Sequence, residues 1–72
     1  MSFLANIYDS DGRSVARQEL HVAVSGDALR DIDAAGDAAR RLLQPGQYAD
    51  LYERTATGGA SYVDTVHHPK GV

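Results

Sequence analysis

The sequence contains no cysteine and no tryptophan, and it has only two prolines. Without cysteine the chain has no disulfide, no thiolate metal ligand and no thiol nucleophile, which suits a protein of the reducing cytoplasm. No apolar run approaches the ~20 residues that a membrane-spanning helix needs, and the N-terminus lacks the basic-then-apolar layout of a signal peptide. We therefore expect a cytoplasmic protein with no membrane partner.

Positive charge is also scarce, because seven Lys and Arg residues stand against ten Asp and Glu residues, for a formal net charge of −3. Binding to nucleic acids draws mainly on clustered lysine and arginine. The aromatic and basic strand with which RNA-recognition sheets stack bases is absent as well. The composition therefore predicts no direct nucleic-acid partner.

Signatures of catalysis and of metal binding are missing from the sequence. There is no nucleophile elbow, no glycine-rich phosphate loop and no HExxH motif. The adjacent His67 and His68 would point to opposite faces of a strand, and a zinc site needs three or four ligands. In residues 9–12, DSDG, the glycine comes fourth, whereas a calcium loop needs it in the sixth position. We predict a protein that is not an enzyme and that has no cofactor and no metal site.

A chain of 72 residues has the size of one domain, and we predict this domain over residues 1–68 with a C-terminal tail over 69–72. Alternating, aromatic and β-branched residues predict four strands, over residues 3–8, 14–24, 47–54 and 60–67. Residues 9–12 and 57–59 contain turn-forming residues and predict hairpin turns between strands one and two and between strands three and four.

One amphipathic helix is predicted between the two pairs of strands. Ser25 or Asp27 caps its start, and the Pro45-Gly46 pair ends it. Its apolar stripe includes Gly36, which we interpret as allowing the helix to lie close to the sheet. The apolar stripe consists of Leu29, Ile32, Ala35, Gly36, Ala39, Leu42 and Leu43; the polar face carries Arg30, Asp31, Asp33, Asp37, Arg40 and Arg41. Asp37 and Arg41 have the spacing of an exposed ion pair.

Two hairpins joined by a helix predict an α+β fold of ββαββ order. If the third strand pairs with the first, the four-stranded sheet is antiparallel with strand order 2-1-3-4, and the helix packs on one face. The opposite face of the sheet is then open to water or to a partner. This open face is where we look for a function.

Tyrosines are the most distinctive side chains of the predicted open face. If Ala49 and Leu51 face the helix, Tyr48 and Tyr52 point the other way. Tyr8 and Tyr62 join them if their strands share this phase, which the pattern leaves open. Arginines and a histidine belong to the same face, namely Arg17, His21 and Arg54. Tyrosine and arginine are enriched in interface hot spots, so the pattern favours a docking surface. The structural alternative is that the tyrosines only shield the sheet.

The leading hypothesis is therefore a small non-enzymatic module that binds another protein through its open sheet face or a sheet edge, with a homodimer as one form of this. A second hypothesis is an acidic inhibitor of nucleic-acid-processing machinery, of the phage anti-defence type. It would act through the helix acids Asp31, Asp33 and Asp37. A third is a ligand-binding or catalytic homo-oligomer with a pocket between chains.

Overall fold

A computed structural model of the protein describes residues 2–23 and 25–69. The elements follow the order β1 (Ser2–Tyr8), β2 (Ser14–His21), α1 (Ala28–Arg40), β3 (Tyr48–Arg54) and β4 (Ala60–His67). All three strand pairs are antiparallel, and the sheet order is β2-β1-β3-β4. The predicted α+β fold, its ββαββ order and its sheet topology are confirmed. β2 ends at His21 rather than at Val24, which lies outside the described residues, as do residues 70–72 of the predicted tail.

The two hairpins close at the turns that the sequence predicts. In the first, the Gly12 N–H donates to the Asp9 carbonyl over 2.9 Å. In the second, the Gly58 N–H donates to the Thr55 carbonyl over 3.1 Å. Both glycines have positive φ values, 87° and 89°, which glycine adopts without the steric cost that a Cβ would bring.

The core lies between α1 and one face of the sheet. Its sheet side is formed by alternate residues of β1 and β3, as the pattern predicts, and its helix side mostly by small residues. The buried apolar set is Phe3, Ala5, Ile7, Leu20, Ala35, Ala39, Leu43, Ala49, Leu51 and Val66. Alanines at this contact let the helix axis come close to the sheet. No helix in the described part of the chain has the length and apolar character needed to cross a bilayer.

The first turn of α1 differs from the predicted amphipathic pattern. Asp27 is the N-cap, and its carboxylate accepts the N–H groups of Leu29 and Arg30. The placement of Asp31 on the exposed face is wrong, because only 3% of this residue is exposed. Asp31 lies four residues before Ala35, so both side chains are on the buried face of the helix. Leu29 lies about 200° around the helix from Asp31 and is 76% exposed, so it does not belong to the core.

The buried Asp31 carboxylate fastens the segment that enters the helix. It accepts hydrogen bonds from the Ser25 N–H, at 3.0 Å, and from the Ser25 hydroxyl, at 2.7 Å.

The predicted ion pair between Asp37 and Arg41 is also replaced, since Asp37 binds Arg40 at 2.7 Å. Arg40 lies three residues after Asp37 and Arg41 lies four residues after it, and both spacings bring side chains together on a helix.

Replacement of Asp31 by alanine should destabilise the fold. Asp31→Ala removes two hydrogen bonds to a charged acceptor, and we expect the free energy of unfolding to fall by about 1–3 kcal/mol. Urea denaturation followed by circular dichroism measures this change. Asp33→Ala is the matched control, because Asp33 is exposed, and its denaturation midpoint should not fall below the wild-type value, since alanine has the higher helix propensity. Equal midpoints for the two variants would contradict the buried role of Asp31.

Gly36 is buried on α1, but the helix does not need a glycine there. A Cβ at this position would lie 3.6 Å from Val66 Cγ1, which is an ordinary van der Waals contact. Gly36→Ala should therefore raise the free energy of unfolding by about 0.5–1 kcal/mol, because alanine has the higher helix propensity. Thermal and urea denaturation measure the effect. A loss of stability would show that the helix lies too close to β4 for a methyl group.

Candidate functional site

All four tyrosines of the chain lie on the sheet face opposite α1, which we call the tyrosine face. In the strand register Tyr8 pairs with Tyr48, and Tyr52 pairs with Tyr62. The only helix of the described residues packs on the other face, so none of the described elements covers these side chains. The predicted placement of Tyr48 and Tyr52 is confirmed, and Tyr8 and Tyr62 join them.

Aromatic side chains form two groups on this face. In the first, the Tyr8 and Tyr48 rings stack with centroids 5.2 Å apart, and the His67 ring lies 5.8 Å from that of Tyr48. In the second, Tyr52 and Tyr62 meet edge to face at 5.9 Å. Both arrangements are favourable for aromatic pairs, so each ring helps to hold its neighbour in its orientation.

A row of polar residues separates the two aromatic groups. The register places in this row Arg17, Asn6, Asp50 and Thr65. Asn6 Nδ2 donates to the Tyr8 hydroxyl at 2.8 Å. The Thr65 hydroxyl donates to the Asp50 carboxylate at 2.9 Å and lies 2.7 Å from the Tyr62 hydroxyl. These hydrogen bonds orient tyrosines of both groups.

An ion pair crosses the same face. The Arg54 guanidinium, on β3, donates a hydrogen bond to the Glu19 carboxylate, on β2, although β1 lies between these strands. This hydrogen bond from Arg54 holds the pKa of Glu19 below its ordinary value of 4.5. The pair therefore links the β1–β2 hairpin to the β3–β4 hairpin.

A shallow depression of about 250 Å³ opens beside this ion pair. It is lined by Leu4, Asn6, Arg17, Tyr52 and Ala60. Leu4 is buried although it belongs to the tyrosine face, and it supplies an apolar surface among polar groups. Desolvation, with a contribution from the nearby Asp50 charge, raises the pKa of Tyr52. At neutral pH its hydroxyl is protonated, as that of an ordinary tyrosine is, and can act as a donor.

The helix acids do not assemble into one surface. Asp27 caps the helix, Asp31 is buried and Asp37 binds Arg40, so Asp33 is left as the exposed acid without a hydrogen bond in the described residues. A second open depression, of about 390 Å³, lies at the end of α1. Its lining combines both charges and consists of Asp37, Arg40, Arg41, Leu43, His68 and Pro69.

His67 and His68 separate as the alternation of a strand requires. His67 lies on the tyrosine face beside Tyr48, whereas His68 lines the depression at the end of α1. Within residues 2–23 and 25–69, no three histidine, cysteine or acidic side chains are grouped so that they could hold a metal ion.

Comparison of the chain with protein-family models, curated proteins and solved structures finds no match.

Several residues of this face were not among the sequence-based candidates. They are Leu4, Asn6, Glu19, Asp50, Thr65 and His67. Leu4, Asn6 and Asp50 alternate in phase with Tyr8 and Tyr52, so the period of two could have identified them. The predicted Arg17, His21 and Arg54 do lie here, because their strand partners Asn6, Ser2 and Ala60 belong to the same rows.

The ion pair makes a testable contribution to the pH dependence of stability. Because the pKa of Glu19 is lowered by folding, its stabilisation is present above pH 4.5 and is lost as the pH falls through the lowered value. Wild type should therefore be more stable than Glu19→Gln at neutral pH, and the difference should vanish in acid. Urea midpoints across this pH range measure it. In an Arg54→Gln background this difference should shrink to the smaller contribution of the His21 and Arg17 charges; an undiminished difference would contradict this assignment.

Proposed function

We propose that this chain is a small, non-enzymatic protein-binding module of the cytoplasm that docks its tyrosine face on another protein. The observation that carries the proposal is the collection of all four tyrosines on the one sheet face that no described element covers. Tyrosine combines a large apolar ring with a polar tip, and for this reason it is frequent in interface hot spots. The cytoplasm is the compartment that the lack of cysteine favours.

Exposure and pre-orientation of the rings support docking over a purely shielding role. Tyr62 is 56% exposed at the edge of the sheet, so much of its ring is free to be buried by a partner. Its edge-to-face contact with Tyr52 and its short distance to the Thr65 hydroxyl hold it in place beforehand. A side chain that is already ordered loses less conformational entropy on binding.

The face is better suited to docking than the edge of the sheet or the acidic helix. Every residue of β2 from Ser14 to Glu19 is exposed, but charged side chains at an edge oppose the addition of another strand. On α1, Asp31 and Asp37 are engaged within the chain, which weakens the case for an acidic inhibitor.

A homodimer through the same face is a second candidate, favoured by one observation. The tyrosine face carries both a cation, Arg17, and an anion, Asp50, in one row of the sheet. A two-fold contact needs a self-complementary patch, and opposite charges within one patch can pair across such an axis. In this case the partner protein is a second copy of the chain.

The proposal predicts that loss of two tyrosines abolishes capture of the partner. Tagged wild type and Tyr52→Ala/Tyr62→Ala are used as bait in a lysate of the native host, with quantification of captured proteins by mass spectrometry. Hot-spot truncations cost more than about 1 kcal/mol each, so we expect the double variant to retain less than about a tenth of the wild-type capture. Leu29→Ala/Leu42→Ala, which shortens two exposed leucines away from this face, should capture normally.

The outcomes separate the candidates. Equal capture by the tyrosine variant, with a melting temperature that shows a folded protein, would contradict docking through this face. A wild-type dimer in sedimentation analysis that dissociates in the tyrosine variant would assign the face to self-association.

A further inference from the structure

We propose that the depression beside Arg17 is a carboxylate-binding subsite that receives one aspartate or glutamate side chain of the protein partner. The inference rests on the proposed function, since it names the chemistry that the partner presents to the tyrosine face. It assigns the specificity of the interface to Arg17 and Tyr52, two side chains that line this depression from β2 and β3.

Arg17 is the cation of this face that has no anion bound to it. Arg54 binds Glu19, and on the helix Arg40 binds Asp37, whereas Arg17 makes no hydrogen bond or ion pair within residues 2–23 and 25–69. A guanidinium offers several N–H donors in a planar fork that matches the two oxygens of a carboxylate. Arg17 therefore presents an unused bidentate donor at the rim of the depression.

Tyr52 supplies a second donor to the same space. Its hydroxyl has no hydrogen-bond partner in the described part of the chain, and at neutral pH it carries the proton that a donor needs. The neighbouring Asn6 amide is already engaged, because its Nδ2 donates to Tyr8. Leu4 and Ala60 supply apolar surface, which accommodates the methylene groups of an acidic side chain.

The carboxylates of Glu19 and Asp50, near Arg17, limit the negative charge of the ligand to a single carboxylate. Asp50 lies in the row of Arg17 two strands away, about 10 Å at the usual strand spacing, and Glu19 lies in the next row of β2. A nucleic-acid strand carries a phosphate at every nucleotide, so binding at Arg17 would bring further negative charge towards these carboxylates. A single acidic side chain brings only one negative charge to Arg17, and aromatic or apolar neighbours can contact Tyr52 and Tyr62.

Selection from a phage-displayed library of random peptides tests the subsite. The immobilised baits are wild type, Arg17→Gln, Tyr52→Ala/Tyr62→Ala and the control Arg30→Gln. Arg30 is exposed on α1 and makes no side-chain ion pair in the described residues, so Arg30→Gln removes the same charge away from the face. Melting temperatures establish that each bait is folded.

We expect wild type and Arg30→Gln to enrich peptides with an acidic residue at one position beside aromatic or apolar residues. Arg17→Gln should keep the aromatic preference and lose the acidic one. A synthetic peptide of the wild-type consensus should bind Arg17→Gln about tenfold more weakly than wild type, in keeping with the loss of a charge-assisted hydrogen bond. Its amide analogue, with Gln or Asn for the acid, should bind both proteins equally.

Each contrary outcome has a distinct meaning. If peptides that depend on Tyr52 and Tyr62 lack an acidic preference, or keep it with Arg17→Gln, the subsite is wrong while the proposed function stands. If no enriched peptide depends on the two tyrosines, both proposals fail. If an oligouridine binds wild type and competes with the peptides, while Arg17→Gln loses this binding, the subsite belongs to a nucleic-acid surface instead.

Discussion

Burial of alternate β1 and β3 residues beneath a single helix is the constraint on which the rest of the molecule depends. When Phe3 and Ala5 of β1 and Leu51 of β3 pack against α1, their neighbours in each strand must point to the other side of the sheet. The chain has no second helix among its described residues to cover that side. The composition of the uncovered face is therefore decided by the same alternation that forms the core.

The alternation also explains how far the sequence could predict the structure. β3 carries a regular apolar phase at Ala49 and Leu51, so the positions of Tyr48 and Tyr52 can be predicted from the sequence. For β4 the alternation does not predict which side chains face the core. Val63 and Val66 both pack towards the core although Val66 comes three residues after Val63, which a strict period of two does not allow. The helical pattern predicts Asp31 on the exposed face, and this is wrong because its hydrogen bonds to Ser25 outweigh the usual preference of a carboxylate for water.

Charge and aromatic surface are interleaved on the tyrosine face. The polar row with Asn6 and Asp50 runs between the two aromatic groups, and the link between Glu19 and Arg54 crosses the central strand β1. If the proposed docking occurs, such a surface discriminates between partners, because burial of its rings also requires compensation of its charges. Under the proposal, the partner meets this requirement at Arg17, which has no ion pair within residues 2–23 and 25–69.

The irregularity in β4 decides which side of the sheet the Tyr62 ring occupies. Between Leu51 and Tyr52 the register shifts, so that Tyr52 faces Tyr62 with Val63 as the extra residue. In an uninterrupted ladder Val63 would stand opposite Tyr52, and Tyr62 would turn towards the helix side. The bulge thus accommodates the extra residue, so that Tyr62 stays opposite Tyr52 while Val66 keeps its place in the core. A chain without Val63 would form a regular ladder in which Tyr62 still stands opposite Tyr52, so the aromatic contact does not depend on the length of β4 at this point.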